Sequence, residues 1–153
     1  MKIAIGNDHA AVDMKLEIVS FLESLGHEVT NFGTDTKESC DYPIYAHKVC
    51  QAVLEGEADR GILICGTGIG ISIAANKHKG IRCAVCSDPV TAKLTREHNN
   101  SNVISFGARI VGPEIGKAIV SAYVNAEFQP NERHLRRLKM VEDIENGLDF
   151  ENN

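Results

Sequence analysis

Gly61-Ile62-Leu63-Ile64-Cys65-Gly66-Thr67-Gly68-Ile69-Gly70-Ile71-Ser72 is the stretch from which the rest of the chain can be read. An apolar run ends in a cysteine, and the cysteine opens onto three alternating glycines. Hydrophobicity without alternation suits a central parallel strand covered on both faces. The residues from Gly70 to about Lys77 then read as a helix, so the unit is strand, glycine loop, helix. Such a unit turns backbone N–H groups and a helix N-terminus toward one anion. The same positive helix end favours a thiolate beside it. A thiolate base next to an oxyanion cradle points to proton abstraction beside a carbonyl.

The pattern continues in both directions. Upstream, Lys2–Ile5 reads as a strand and Ala10–Leu25 as a helix, with apolar positions at Val12, Leu16, Val19 and Leu22 and an end at Gly26. His27–Phe32 is a second strand, and Pro43–Leu54 a helix with Pro43 in its first turn. Downstream, Ile81–Cys86 is a strand, and Ser87 or Asp88 caps a helix running from Pro89 to about His98. Asn102–Phe106 is the fifth strand, Pro113–Ala126 a further helix, and Arg133 to about Asn146 a charged amphipathic helix. Short strands separated by helices predict an α/β fold, a Rossmann-like three-layer αβα sandwich on a five-stranded parallel sheet with a C-terminal helical tail. Residues 1–153 read as one domain, without repeat or linker.

Composition narrows the function classes. With 43% apolar and 24% charged residues, the chain has the makeup of a soluble globular protein. A formal net charge of −5 gives no footprint for nucleic acid. An acidic protein that binds an anion must gather positive charge locally, and Arg133, His134, Arg136 and Arg137 do so. No apolar stretch approaches the roughly 20 residues of a membrane span, and the N-terminus is too soon broken for a signal peptide. Cysteines at 40, 50, 65, 83 and 86 make no disulfide framework and suit a reducing cytoplasm. Cys83 and Cys86 have C-x-x-C spacing, but on a strand they point to opposite faces and read as unrelated.

In parallel α/β sheets ligands bind where strand C-termini meet the following helices. Asp8-His9 follows the first strand, Cys65 to Gly70 the third, and Arg109 the fifth. His98-Asn99 ends a helix and precedes a strand, so it belongs at the opposite edge and is expected to serve a neighbouring subunit. Familiar glycine-loop chemistries fail on named residues. Ile71 stands where a dinucleotide fingerprint needs its third glycine and where a cysteine phosphatase needs its arginine. No lysine of a Walker A loop occurs before Lys77, and no zinc-binding spacing is present. Each residue alone also has a plain reading: Cys65 as a small apolar side chain, His98 as a partner of the helix dipole, the arginines as a solvated face. Arg133 and Arg137 are one helical turn apart, however, and two guanidiniums on one face suit a phosphate monoester.

Taken together, Ile3-Ala4-Ile5-Gly6-Asn7-Asp8-His9, Asp41-Tyr42-Pro43, Ile64 to Ser72, Ala74 to Lys77, Gly80-Ile81-Arg82, Arg96 to Asn100, Phe106 to Arg109 and Arg133-His134 resemble the ribose-5-phosphate isomerase B family, part of the sugar-phosphate isomerase group that includes galactose-6-phosphate isomerase subunits. The resemblance implies interconversion of ribose 5-phosphate and ribulose 5-phosphate without metal or other cofactor. It also implies cytoplasmic homodimers or dimers of dimers whose subunits share the active sites. By position, Cys65 resembles the base that moves a proton between C2 and C1, Thr67 an assisting residue, and His98 the group that opens the furanose ring. The amides of Gly66, Gly68, Ile69 and Gly70 correspond to the enediolate's anion hole, and Asp8, Tyr42 and Asn99 to sugar contacts. His9, Arg109, Arg133 and Arg137 resemble the phosphate set, with residues 131–148 as a helix used for phosphate and for dimer contacts. Since Cys65 and His98-Asn99 occur in one chain, a single kind of subunit can complete the site. A six-carbon sugar phosphate (allose 6-phosphate or galactose 6-phosphate) and a non-catalytic sugar-phosphate sensor are the alternatives.

Overall fold

Five segments whose side chains are mostly apolar form one parallel sheet: β1 (Lys2–Asn7), β2 (Glu28–Asn31), β3 (Arg60–Cys65), β4 (Cys83–Val85) and β5 (Val103–Gly107), ordered β2-β1-β3-β5-β4. The structure, a computed structural model, describes residues 1–149. Among the described residues four α-helices join the strands, α1 (Val12–Ser24), α2 (Tyr42–Leu54), α3 (Ile69–Ala75) and α4 (Pro89–Asn99), and two follow β5, α5 (Pro113–Asn125) and α6 (Glu132–Glu145). A 3₁₀ turn at His9–Ala11 precedes α1. Among the described residues no helix is long and apolar enough to cross a membrane.

Strand alternation sorts the core into two halves. Ile3, Ile5, Ile62, Ile64, Ile104 and Phe106 face α1, α4 and α5. Ala4, Leu63, Cys65 and Val103 face α2 and α3. The result is the expected three-layer arrangement. Cys83 packs with the second half and Cys86 with the first, so the C-x-x-C pair is split across the sheet as its strand geometry requires.

Element edges differ from the sequence reading for local reasons. The strand expected over Ile81–Cys86 shrinks to Cys83–Val85, because the Asn102 side chain takes the Arg82 N–H at 2.9 Å and the Gly80 carbonyl at 2.8 Å. The helix expected to reach Lys77 closes at Ala75, where Asn76 turns its side chain onto Cys83. Asp88 rather than Ser87 is the cap of α4, its carboxylate accepting from Thr91 N–H at 2.8 Å. On α1, Leu16 lies outside the core at 52% exposure, and the inward positions go to Met14, Lys15, Ile18 and Leu22.

Lys15 is fully buried and its ammonium bonds the Asp35 carboxylate, which is 70% exposed. Asn31 Nδ2 donates to the same carboxylate oxygen at 3.0 Å. The Lys15 bond, first among the causes, holds the Asp35 carboxyl below the usual carboxylate range. This pair ties the segment after β2 to α1. Asp35→Ala leaves a buried ammonium without its partner, so unfolding should become easier by about 1–3 kcal/mol. That is less than the roughly 3–5 kcal/mol of a fully buried pair, since water reaches the Asp35 side. Lys15→Met in the same background should restore most of the loss, and denaturant unfolding of the two variants checks both.

Candidate active site

The chain crosses from β3 to α3 in three residues, and β5 holds that crossing in place. Gly68 adopts φ +80°, a left-handed conformation, and a methyl there would lie 2.7 Å from the Phe106 carbonyl carbon. Ser105 Oγ donates to the Gly68 carbonyl at 2.9 Å. Ala108 N–H donates to the Cys65 carbonyl at 2.9 Å and Arg109 N–H to the Gly66 carbonyl at 3.0 Å. Within the loop, Gly68 N–H donates to Cys65 Sγ at 3.1 Å and Ile69 N–H to Thr67 Oγ1 at 3.3 Å. The thiol is therefore aimed back into a turn of backbone donors, with Cys65 only 4% exposed. Helix α3 is seven residues long, so the turn's own amides, more than a helix end, make this an anion-seeking corner.

The neighbouring strand ends close on the same corner. β1 and β3 are adjacent but continue to opposite sides of the sheet, which makes their junction the crevice where α/β sheets bind ligands. Asp8 sits in that junction, 7% exposed, its N–H donating to the Ile64 carbonyl at 3.2 Å and its Oδ1 accepting from Ala10 N–H at 3.0 Å. His9 Nδ1 accepts the Cys40 N–H at 3.3 Å, which puts the proton of the neutral ring on Nε2. Tyr42 begins α2 with its phenol against the loop, where a methyl on Gly70 would lie 2.7 Å from Cζ. Arg109 reaches over Gly66 from the other side, its Nη1 3.3 Å from where a methyl on that glycine would sit. Asp8, His9, Tyr42, Cys65, Thr67, the loop glycines and Arg109 thus form one cluster.

His98, Asn99, Arg133 and Arg137 form another, around a cavity of about 260 Å³ between the end of α4 and the start of α6. Helix α4 runs antiparallel to the strands and ends where β5 begins, whereas the first cluster lies where β5 ends. The length of β5, roughly 13 Å, separates the two levels. Within one chain the sequence-predicted set is therefore divided, with His98 and Asn99 at the opposite edge as anticipated.

Three contributors were not singled out from sequence. Cys40 is the partner of His9, and its place beside a residue 31 positions away has no local signal. Asn131 caps α6, accepting His134 N–H at 2.9 Å, so the helix begins at Glu132 rather than Arg133. Asn followed by a charged first turn is a cap signature that could have found it. His134, grouped in the sequence with a solvated basic face, is 4% exposed. Among the described residues no group of three or more His, Cys, Asp or Glu side chains is arranged to hold a metal ion.

Comparison with known proteins gives a consistent answer. Residues 3–141 match the sequence pattern of the family described as Ribose/Galactose Isomerase. The chain is 51% identical over 144 residues to ribose-5-phosphate isomerase B of Escherichia coli strain K12, covering 94% of this chain and 96% of that one. It is 46% identical over 130 residues to the D-erythrulose-4-phosphate isomerase of Pectobacterium atrosepticum, covering 84% and 86%. Among solved structures, that of Clostridium thermocellum ribose-5-phosphate isomerase B superposes with a TM-score of 0.93 at 50% identity, covering 96% of this chain and 99% of the other.

Burial changes the acidity of three other cysteines. It pushes the thiols of Cys50 and Cys83 up to about 12 and that of Cys86 up to about 11. At pH 8 a thiol with a pKa near 12 is ionised in only about one molecule in ten thousand. Iodoacetamide at pH 8 should therefore leave Cys50, Cys83 and Cys86 unmodified in the folded protein, and all three should label once it is unfolded. Peptide mass spectrometry reads this out, and rapid labelling in the native state would contradict it.

Proposed function

The chain belongs to the Ribose/Galactose Isomerase family and is an aldose–ketose isomerase, and from that premise we propose that it interconverts D-ribose 5-phosphate and D-ribulose 5-phosphate. The observation that carries this reading is the donation of Gly68 N–H to Cys65 Sγ, 3.1 Å long, in the crevice beside Asp8. A free thiol is only a few per cent thiolate at neutral pH. A backbone donor aimed at the sulfur forms its stronger bond with the anion. In the open-chain aldose, the Cys65 thiolate removes the proton on C2 and the electron pair of that C–H bond becomes the C1–C2 double bond. The carbonyl electrons move onto O1, giving an enediolate that the loop amides receive. Each well-placed donor of this kind contributes on the order of 3–4 kcal/mol to the transition state. A proton then passes from the C2 hydroxyl to O1, with Thr67 assisting, the O2 electron pair forms the C2 carbonyl, and the C1–C2 double bond takes the proton back from Cys65 at C1, which completes the ketose.

Ribose 5-phosphate reaches the enzyme as a closed furanose, so its ring must open first. His98 serves here, taking the proton of the O1 hydroxyl while the C1–O4 bond breaks and a proton is delivered to O4. Asp8, Tyr42 and Asn99 hold sugar hydroxyls, and His9, presenting Nε2–H, joins Arg109, Arg133 and Arg137 on the phosphate. The divided cluster has a direct consequence. His98, Asn99, Arg133 and Arg137 reach Cys65 from a second copy of the chain, so each site is shared between subunits. Exposed Ile44, Ile69, Ile73 and Ile110 around the loop, 53–60% accessible, support a partner at that rim. The similarity to a D-erythrulose-4-phosphate isomerase favours, as a second reading, a shorter sugar phosphate in the same site.

Initial rates with ribose 5-phosphate, D-erythrulose 4-phosphate, allose 6-phosphate and galactose 6-phosphate, in EDTA, should be highest for ribose 5-phosphate. Cys65→Ala should lower that rate by roughly 1,000-fold or more while substrate binding persists. Turnover close to normal in this variant would remove Cys65 from the chemistry, and preference for another sugar would move the substrate assignment. The shared site is tested by complementation. Cys65→Ala and His98→Asn chains, each inactive alone, should on refolding together recover about a quarter of the wild-type rate, because half the dimers are mixed and each carries one intact site. No recovery from mixed dimers would place both groups of one site on the same chain.

A further inference from the structure

His98 does not stand alone at the end of α4: the ring of His134 lies against it, centroids 4.7 Å apart and planes inclined by 41°. His98 is half-buried, whereas His134 is 4% exposed. Buried imidazoles need partners, and the partners here fix the ring's place. His134 Nδ1 lies 2.9 Å from the Gln129 carbonyl and 3.0 Å from the Asn131 side-chain amide nitrogen. The Gln129 N–H in turn donates to the Glu97 carbonyl at 2.9 Å, one residue before His98. A single residue, Gln129, thus pins the last turn of α4 with its N–H and the His134 ring with its C=O. Asn131 Oδ1 holds the backbone of His134 at 2.9 Å, and Phe128 lies behind the ring with centroids 6.5 Å apart. The ring is fixed from several directions, and one face is left to His98.

Building on the site assignment above, we propose that His134 is a positioning residue: its fixed ring is the platform that sets the orientation of the His98 imidazole for ring opening. A histidine on a helix end otherwise rotates about two side-chain torsions. A proton carrier must meet both O1 and O4 of the furanose within hydrogen-bond reach, and a platform on one face restricts it to that arc. Arg133 and Arg137 leave the same helix, so α6 supplies the platform together with the phosphate-side guanidiniums.

The test compares a measurement that needs ring opening with one that does not. Conversion of ribose 5-phosphate starts from the closed ring. Incorporation of solvent deuterium at C1 of D-ribulose 5-phosphate requires only the open-chain ketose, Cys65 and the enediolate. His134→Ala should lower kcat/KM for ribose 5-phosphate by between about 10- and 100-fold, the scale of a misplaced catalytic group, with deuterium incorporation within about twofold of wild type. His134→Phe keeps a ring without the Gln129 bond and should recover most of the conversion rate. His134→Asn can keep that bond without a ring and should not. Thermal unfolding of each variant monitors the fold, and His98→Asn serves as the reference. If His98→Asn lowers conversion and exchange equally, the ring-opening assignment itself fails. If His98→Asn is selective while His134→Ala loses both activities together, or His134→Asn behaves as wild type, His134 is only a structural residue and the platform is refuted.

Discussion

The grip of β5 on the turn after β3 is the constraint from which the rest of the site follows. Three hydrogen bonds converge there, Ser105 on Gly68, Ala108 on Cys65 and Arg109 on Gly66, and the Phe106 backbone leaves no room for a side chain at Gly68. They exist because β5 is inserted between β3 and β4, out of sequence order. Without β5 beside it, the loop would have no lattice of partners, and Gly68 would not be held in a left-handed turn that sends its N–H back onto Cys65. The same insertion places Arg109 over the loop as the next residue but one after the strand. Strand order therefore decides both where the sulfur points and which cation stands above it.

Much of this was legible in the chain because β3 is written in one character. Arg60 to Cys65 is buried throughout, and only a strand covered on both faces has that pattern. The edge strands were harder. β2 and β4 pair on one side only, and their ends are set by side chains such as Asn102, whose role depends on where Gly80 and Arg82 arrive in space. Leu16 misled for a similar reason. A lysine took its inward place on α1, because an aspartate twenty residues on could meet the buried ammonium. Periodicity ranks residues by apolarity and has no term for such a partner. In the site, residues immediately after strands were readable, since topology sends them to one edge. Cys40 and His134 were not, as each is defined by a ring it touches across the fold.

Charge distribution fits the division of the site. The chain is acidic overall, at −5, so a sugar phosphate dianion approaches against the mean field. In the proposed site, positive groups would overcome that field locally: Arg109 at the strand edge, Arg133 and Arg137 on α6. Arg60 is a cation of another kind. It is 4% exposed and spends its guanidinium on the carbonyls of Tyr123, Val124 and Ala126, closing the end of α5. By fixing that end it also fixes the start of the segment that carries Gln129, and through it the approach of α6 to α4. A buried structural arginine and two exposed ones are thus links in one chain of support.

The direction of α4 makes association part of the proposed chemistry. A helix connecting two parallel strands of one sheet must run antiparallel to them, so its C-terminus returns to the edge where strands begin. Any residue there is barred from its own strand-end crevice by the length of the strands, whatever its side chain. Recruiting His98 to Cys65 then requires a second chain turned so that its α4 end meets the first chain's glycine loop. A two-fold axis does this twice with one surface, which completes two sites at no cost in new sequence. Under this arrangement the catalytic set exists only in the associated state, and the fraction of competent sites follows protein concentration by mass action. The exposed isoleucines at the loop rim then have a catalytic consequence: each apolar area they remove from water stabilises the geometry in which base and ring-opening group face one sugar.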